Sequence, residues 1–329
     1  MNDSPDYNQE FFARLQQGNR RALARAISMI ESRHPKIKAQ ARALMIALGQ
    51  TNSVAEHSLK IGITGPPGVG KSTFIEGFGQ NALKRGMRLC VLPIDPTSPL
   101  SGGSLLGDRT RMENLSKSEN CFIRPSPSGQ QSGGVSWATR DVLRLCELVG
   151  FDLILVETVG VGQGETDVCS MVDSSILIYP PQGGDELQGL KKGILEVADF
   201  FFINKADILP EAASKMQMDL RSAFSVLPTF RHKNLDFVFV GSAIDLERLD
   251  LFQDLVFDHL KAGLTSGNFQ SRRKQNSLVA FQEGIKERVI TRALSNKSLK
   301  SKIRKLEKKI QSGEISVLEA LDTLLPLKA

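Results

Sequence analysis

Short apolar runs alternate with amphipathic stretches through the middle of the chain. The run LKIGIT (59–64) predicts a buried strand, and a glycine-rich segment then leads into a helix predicted from Lys71 to about Lys84. Further strand-sized runs lie at 88–94, 121–124, 151–157, 174–179, 200–204 and 237–240. Repeated strand–helix units imply parallel strands joined by right-handed crossovers, with helices on both faces. The predicted fold class is therefore α/β, with a mostly parallel central sheet flanked by helices.

Both ends of the chain show helical periodicity without strand signals. Apolar residues recur at helical spacing over 8–50, where His34-Pro35 predicts a stop or a kink. Beyond Gly267, helices are predicted at 274–295, 299–311 and 314–325. The chain therefore divides into three predicted parts, which are an N-terminal helical extension, an α/β domain and a C-terminal helical extension: 1–57, 58–265 and 266–329.

The composition is that of an ordinary globular protein, with 329 residues, 41% hydrophobic and 24% charged. The four cysteines are scattered without a C-x-x-C pair, which indicates reduced thiols. The polar N-terminus does not have the form of a secretory signal. No apolar run reaches the roughly 18–20 residues that a transmembrane helix needs. We therefore expect a cytoplasmic protein without a membrane partner.

The basic charge of the chain is concentrated near its C-terminus. The formal net charge is +6, yet residues 271–310 alone hold 13 Lys or Arg against 3 Glu, so the remainder is net acidic. Such a stretch is either the solvated face of a long helix or a surface for an acidic protein partner. Because no zinc-finger spacing or RNA-binding aromatic signature accompanies it, nucleic acid is not an expected partner.

The glycine-rich segment after the first strand matches the phosphate-binding pattern G-x-x-x-x-G-K-[ST]. A predicted strand precedes it and a predicted helix follows, which is the context that this motif requires. Glycines let backbone N–H groups turn around a phosphate, and the helix N-terminus adds a positive dipole end. We expect Lys71 to reach the β- and γ-phosphates and the Ser72 hydroxyl to ligate Mg²⁺. The predicted phosphate-binding residues are Gly65, Pro66, Pro67, Gly68, Val69, Gly70, Lys71, Ser72 and Thr73.

The N-K-x-D segment at 204–207 follows the apolar run FFFI, so it lies at a strand end, where open α/β sheets bind ligands. The Asp207 carboxylate can accept hydrogen bonds from the guanine ring N–H and exocyclic amine, and adenine offers no such donor pair. The two motifs together predict GTP or GDP as the nucleotide. The predicted base-binding residues, the last three through their backbone, are Asn204, Lys205, Asp207, Ser242, Ala243 and Ile244.

Acidic residues near strand ends are the candidates for holding Mg²⁺ and polarising an attacking water. Glu157 and Asp95 end apolar runs, Asp108 lies in GGSLLGDRTRM, and Gly160 can present its N–H to the γ-phosphate. Because Mg²⁺ needs only one or two carboxylates, the three acids cannot all be direct ligands. Asp108 is the first choice for a nucleotide-responsive contact, unless these acids cap helices. The predicted catalytic residues are Lys71, Asp95, Asp108 and Glu157, and the predicted metal ligands are Ser72, Asp95, Asp108 and Glu157.

Longer blocks carry a more specific signal than these motifs. They include GPPGVGKST (65–73), ETVGVGQGETDV (157–168) and GDELQGLKKGILEVAD (184–199). In these blocks the chain resembles the metallochaperone-type P-loop GTPases. Within them it is similar to the MeaB/ArgK group of methylmalonyl-CoA mutase-associated GTPases, which includes the human methylmalonic aciduria type A protein. The resemblance covers residues from about 10 to 265 well and the C-terminal tail loosely.

The resemblance implies a slow GTPase that gates adenosylcobalamin loading and protects an adenosylcobalamin-dependent acyl-CoA mutase, with methylmalonyl-CoA mutase as the expected client. It assigns the phosphate-loop lysine and serine and the three acids to nucleotide, metal and hydrolysis. It also implies that the segment containing Lys191 and Lys192 is a switch that couples the partner to the nucleotide. A homodimer formed through the C-terminal helices is a further expectation from the group.

Other functions stay open at this point. The group is also similar to proteins described as kinases of a lysine/arginine/ornithine transport system, although N-K-x-D predicts the wrong nucleotide for an ATP-dependent kinase. A GTPase that inserts nickel or another metal tends to have Cys/His clusters, and this sequence has none. A nucleotide-dependent adaptor with negligible hydrolysis is another alternative. Residues 129–134 and 272–282 depart from the group's pattern, so the partner or dimer surface is expected to differ here.

Overall fold

The apolar runs predicted as strands form one sheet in which neighbouring strands are parallel. The structure is a computed structural model that describes residues 9–32, 34–51, 58–95, 112–127, 137–158, 168–181, 198–226 and 237–326. Its strands are β1 (Leu59–Thr64), β2 (Leu89–Asp95), β3 (Cys121–Ile123), β4 (Ser126–Pro127), β5 (Leu153–Thr158), β6 (Ser174–Tyr179), β7 (Phe200–Ile203) and β8 (Val238–Val240). The predicted α/β fold with a parallel sheet is confirmed.

Strand β1, which leads into the glycine-rich segment, lies inside the sheet. The strand order is β3-β2-β5-β1-β6-β7-β8, with β4 beside β2. On one side of β1, Ile63 is in register with Glu157 of β5, and on the other side Thr64 is in register with Leu177 of β6. Because these strands run in the same direction, their C-terminal ends meet at one edge. The phosphate segment, Glu157 and the N-K-x-D segment therefore share that edge.

Helices account for most of the remaining described residues. They are α1 (Gln9–Gln16), α2 (Arg20–Glu31), α3 (Pro35–Thr51), α4 (Lys71–Lys84), α5 (Glu113–Lys117), α6 (Trp137–Val149), α7 (Pro210–Val226), α8 (Leu246–Thr265), α9 (Asn268–Ser295), α10 (Lys297–Gln311) and α11 (Val317–Leu324). Within the described ranges, no helix is long and apolar enough to cross a membrane. The helix predicted at 185–196 lies outside those ranges.

The region predicted as helical over 8–50 is divided into separate helices by local backbone chemistry. Gly18 adopts a φ of 72° after α1. Asn19 then caps α2, because its side chain accepts hydrogen bonds from the backbone N–H groups of Arg21 and Ala22. The predicted break at His34-Pro35 is where α3 begins, and proline suits the first position of a helix.

The two faces of the sheet are covered by different kinds of side chain. On one face, α4 and α8 pack through phenylalanine rings. The ring centroids of Phe74 and Phe202 lie 4.9 Å apart, and those of Phe200 and Phe252 lie 5.9 Å apart. On the other face, α2, α3 and α6 bury mainly aliphatic side chains against β2 and β5. Because α4 begins at Lys71, the phenylalanine core fixes the helix that follows the phosphate segment.

The chain forms two compact units, Met1–Arg272 and Arg273–Ala329. The N-terminal helices belong to the first unit, where Arg124 beside β3 forms a 3.1 Å ion pair with Glu31 of α2. In the second unit, Ser316 and Glu319 form a capping box at the start of α11. Hydrogen bonds from Ser316 lower the pKa of the Glu319 carboxyl. The three-part division at 57 and 265 stays a prediction.

All four cysteines are buried, and they form no disulfide bond. The sulfur atoms of Cys90 and Cys146 lie 3.6 Å apart. Burial raises the pKa of the Cys90 thiol well above its ordinary value, and it raises the pKa of Cys121 to about 12. Cys90 and Cys121 are therefore protonated at neutral pH and pack as small apolar groups.

The side-chain amide of Gln253 is buried in the apolar core. Its side chain on α8 is fully buried, and neither amide atom has a hydrogen-bond partner among the described residues. Replacing Gln253 with methionine, which has a similar volume, is expected to raise the free energy of unfolding by about 1–2 kcal/mol, because an unsatisfied buried amide is removed. Urea denaturation measures the change.

Gln217 provides a matched control for this substitution. Its side-chain amide donates a 2.7 Å hydrogen bond to the Val238 carbonyl. Gln217→Met is therefore expected to lower the free energy of unfolding by about 1 kcal/mol. A Gln253→Met variant that is less stable than the wild type would show that the Gln253 amide has a stabilising role.

Candidate nucleotide-binding site

The phosphate segment is a loop held tightly between two strand ends. Gly65 and Gly70 have φ values of 144° and 97°, which strongly favour glycine. A Cβ atom at Gly65 would lie 2.1 Å from the Ile178 carbonyl oxygen on β6, and one at Gly70 would lie 2.7 Å from the Asn204 side-chain nitrogen. The glycines therefore let the loop approach β6 and the end of β7 more closely than any side chain permits.

The side chain of Lys71 folds back over this loop. Its Nζ donates hydrogen bonds to the carbonyl oxygens of Gly65 at 2.8 Å and Pro66 at 3.0 Å. Lys71 is also the first residue of α4, with Gly70 as the N-cap. A positive side chain and the N–H groups of a helix N-terminus therefore lie beside the same loop, which suits an anion. Val69 is buried, and the exposed loop residues are Pro67, Gly68 and Thr73.

An oxygen-rich cluster lies where α4 meets the end of β5. The Ser72 hydroxyl donates a 3.0 Å hydrogen bond to Oε1 of Glu157, which is buried. Next to it, the buried hydroxyl groups of Thr158 and Thr64 are 2.9 Å apart and hydrogen-bonded. Hydroxyl and carboxylate oxygens are the ligands that Mg²⁺ prefers, so Ser72 and Glu157 fit this ion chemically. The structure brings together these two of the predicted metal ligands.

Of the remaining predicted metal and γ-phosphate residues, the structure describes only the backbone of Asp95. Asp95 is the last residue of β2, one position beyond the pair that Ile94 forms with Thr158. Its backbone is therefore at the same sheet edge as Glu157. Asp108 and Gly160 lie outside the described residues.

The Asn204 side chain joins the phosphate loop to the segment predicted to contact the base. Its Nδ2 donates a 2.7 Å hydrogen bond to the Val69 carbonyl, and its Oδ1 accepts a 2.8 Å hydrogen bond from the Ala243 N–H. Asn204 is buried, so both hydrogen bonds are shielded from water. One amide thus fixes the spacing between the phosphate loop, the end of β7 and the segment after β8.

The rest of the N-K-x-D segment faces outward around this amide. Lys205 has a φ of 63°, and its Nζ donates a 3.1 Å hydrogen bond to the Gly68 carbonyl. Asp207 is exposed, so its carboxylate is accessible to a ligand. Ser242 and Ala243 are buried, and Ile244 is 69% exposed. The predicted base-binding residues therefore lie at and just after the ends of β7 and β8, and Asn204 and Lys205 contact the phosphate loop.

Several contributors to this site are absent from the predicted residues, namely the Thr64–Thr158 pair and the Ile178 carbonyl. The first two residues flank the predicted motifs directly, and this adjacency was the available signal. The contact of Ile178 with Gly65 depends on the pairing of β1 with β6, which local sequence patterns do not specify.

The loop, the following helix and the parallel sheet define a P-loop nucleotide-binding protein. Residues 23–298 match the family model described as "Methylmalonyl Co-A mutase-associated GTPase MeaB", and the chain belongs to this family of P-loop GTPases. A guanine nucleotide is therefore the expected ligand of the site. The MeaB/ArgK resemblance is confirmed.

The names of individual relatives are consistent with membership of this family. The chain is 39% identical to "GTPase ArgK" of Escherichia coli, over 87% of this chain and 86% of the relative. It is 40% identical to "Methylmalonic aciduria type A homolog, mitochondrial" of Mus musculus, over 97% of this chain and 80% of the relative. A crystal structure of "LAO/AO transport system kinase" superposes with a TM-score of 0.72 at 32% identity, covering 96% and 95% of the two chains.

Proposed function

We propose that the protein is a slow, Mg²⁺-dependent GTPase that gates adenosylcobalamin loading into an acyl-CoA mutase, with methylmalonyl-CoA mutase as the client, and protects that enzyme. The observation that carries the nucleotide part is the Asn204 amide, which joins the phosphate loop to the base-binding segment. The family description and the mouse relative support the choice of client. Four buried cysteines that form no disulfide support a cytoplasmic location.

The proposed roles in hydrolysis follow from the chemistry of each group. Lys71 and the loop N–H groups would neutralise the phosphates, while Ser72 would bind Mg²⁺ directly and Glu157 through water. Mg²⁺, when bound, offsets charge on the phosphate oxygens. Asp95 would orient the attacking water, Asp108 would join the metal shell in response to the nucleotide, and Gly160 would present its N–H to the γ-phosphate. Because the sequence places no obvious arginine finger, the intrinsic rate is expected to be on the order of 10⁻³ s⁻¹.

The preference for guanine is assigned to Asp207. Replacing Asp207 with alanine is expected to lower the GTP-to-ATP affinity ratio by about 10- to 100-fold, because hydrogen bonds to a charged acceptor are lost. Stability should change little, since Asp207 is exposed. Titration with fluorescent GTP and ATP analogues measures the ratio. Glu211→Ala, at an exposed position in the first turn of α7, is the control, and an Asp207→Ala variant with the wild-type ratio would contradict the assignment.

The client is tested by steady-state GTP hydrolysis with and without purified methylmalonyl-CoA mutase. A several-fold acceleration by the mutase supports the chaperone function. GTP hydrolysis that the mutase leaves unchanged would reject this client while keeping the GTPase activity.

A kinase is the second candidate function, because the superposed structure is described as a transport system kinase. A kinase transfers the γ-phosphate to an acceptor protein, whereas a GTPase releases it to water. Incubation with γ-labelled ATP and GTP distinguishes the two. Label in a protein acceptor with ATP as donor supports the kinase, and free phosphate from GTP supports the GTPase.

We also propose that the protein is a homodimer formed through the C-terminal helices. Within the second unit, large apolar side chains of α9 are exposed, with Phe281 at 66% and Val289 at 61%. Exposed apolar side chains at helical spacing are typical of an association surface. A second copy of the same helix would remove them from water.

A further inference from the structure

We propose that the hydrogen bond between the Thr158 and Thr64 hydroxyl groups positions Glu157 in the shell of the nucleotide-bound Mg²⁺. This inference deepens the proposed GTPase function and rests on it. Both threonines are absent from the predicted site residues. They are positioning residues rather than metal ligands, because they act on the metal site through the carboxylate of Glu157 and the start of the phosphate loop.

The two threonines continue the connection between β1 and β5 where the backbone pairing ends. The last paired residues of these two strands are Ile63 and Glu157. One residue further along, the Thr158 hydroxyl donates a 2.9 Å hydrogen bond to the Thr64 hydroxyl, and the two residues are only 5% and 2% exposed. A hydrogen bond shielded from water therefore holds the strand ends together at the point where the phosphate loop leaves β1.

Each threonine is also paired with the strand on its other side. Thr158 is in register with Ile94 of β2, and Thr64 is in register with Leu177 of β6. These backbone pairs do not involve the hydroxyl groups. Substitutions that remove the hydroxyl groups therefore change one contact, which is the contact between the ends of β1 and β5.

The end of β5 is held from both faces of the sheet. Side chains alternate along a strand, so Glu157 and Thr158 point to opposite faces. Glu157 points toward α4, where its Oε1 accepts a 3.0 Å hydrogen bond from the Ser72 hydroxyl. Thr158 points to the other face, as Val156 does two positions earlier, and there it contacts Thr64. The carboxylate and the phosphate loop are thus fixed relative to one another through two adjacent residues of β5.

This arrangement connects the threonine pair to metal binding. Mg²⁺ requires near-ideal octahedral geometry, so its affinity depends on the spacing of the groups around it. The proposed function makes Ser72 a direct ligand, and its hydroxyl is then shared between the ion and Glu157. The Thr158–Thr64 hydrogen bond holds the end of β5 independently of the ion. Groups that orient the residues of a metal shell typically affect metal affinity strongly.

The test measures the Mg²⁺ concentration that gives half-maximal binding of a fluorescent, non-hydrolysable GTP analogue to the full chain. Thr158→Val removes one hydroxyl and leaves the buried Thr64 hydroxyl without this partner. We expect the half-maximal Mg²⁺ concentration to rise by about fivefold or more. Affinity for the analogue in EDTA should equal that of the wild type, because the phosphate loop is unchanged.

A double variant separates positioning from stability. Thr64→Val combined with Thr158→Val leaves neither hydroxyl unpaired, so it should be more stable to urea than Thr158→Val alone. Facing methyl groups lie about 3.5–4.0 Å apart, compared with 2.9 Å for the hydroxyl oxygens, so the strand ends should still be displaced. The raised Mg²⁺ requirement should therefore persist. Thr158→Ser keeps the hydroxyl and should restore the wild-type requirement.

Ser58→Ala is the matched control. Ser58 is buried directly before β1, at the end away from the phosphate loop, and its hydroxyl donates a hydrogen bond to the Phe151 carbonyl. This variant should lose stability and keep the wild-type Mg²⁺ requirement. If the folded valine variants also keep that requirement, the inference is overturned and the proposed function stands. A wild-type protein whose GTP binding does not respond to Mg²⁺ would overturn both the inference and the proposed Mg²⁺ dependence.

Discussion

Replacing Lys71 with alanine is expected to slow GTP hydrolysis by about 10²- to 10³-fold, the usual effect of removing a preorganised charge beside a reacting group. In the structure the Lys71 ammonium is held at the loop by the Gly65 and Pro66 carbonyls. Bound phosphates would replace these weaker acceptors, because they carry a formal negative charge. Single-turnover hydrolysis measures the contribution of Lys71 to the chemical step, and GTP titration measures its contribution to binding.

Lys84→Ala is the control for this substitution, because Lys84 lies in the last turn of the same helix and is exposed. Its hydrolysis rate should equal that of the wild type. A Lys71→Ala variant that hydrolyses GTP at the wild-type rate, with an unchanged circular dichroism spectrum, would remove Lys71 from the catalytic assignment. The variant should stay folded. A function that persists in Lys71→Ala is therefore that of a structural adaptor, and a function that is lost depends on the nucleotide.

Asn204→Ala is expected to have the second largest effect, on both stability and nucleotide affinity. The substitution leaves the Val69 carbonyl and the Ala243 N–H without their buried partner. Loss of the two hydrogen bonds should lower the free energy of unfolding by about 2–4 kcal/mol. GTP affinity should fall by about tenfold or more, because the phosphate loop and the base-binding segment are no longer held at a fixed spacing. Urea denaturation and GTP titration measure the two effects.

Asn81→Ala distinguishes a local effect of Asn204 from general destabilisation. Asn81 is also buried, and its Nδ2 donates a 3.0 Å hydrogen bond to the Leu246 carbonyl, within the packing of α4 against α8. This variant should lose about 1–3 kcal/mol of stability and keep nearly wild-type GTP affinity. Equal losses of affinity in the two variants, measured well below their melting temperatures, would show that the Asn204 amide acts only through stability.

The elements of the fold were largely predictable, because each depends on nearby residues. The strands at 59–64 and 174–179 and the helix from Lys71 to Lys84 have the bounds that their apolar runs predict. The N-terminal region was predicted less well. Its helical periodicity runs through Gly18 and Asn19, where the backbone turns and a new cap forms. The short strand β4 has only two residues and gives no periodic signal.

Among the three candidate acids, sequence patterns did not show which one lies beside Ser72. The expectation for Asp108 stays a prediction, because this residue lies outside the described residues. The structure shows Glu157 hydrogen-bonded to Ser72, because β5 lies beside β1 and brings its end to the start of α4. The direct ligand of Mg²⁺ stays a prediction, and the described geometry favours a role for Glu157 in its shell.

The amino-acid sequence by itself determined the α/β class, the phosphate loop and the N-K-x-D segment, since each is written in contiguous residues with a defined local conformation. Only the tertiary structure decided the strand order and the amide of Asn204 that joins two loops. These contacts connect residues far apart in sequence. Their energies depend on which strands become neighbours, and strand order is fixed by packing of the whole core.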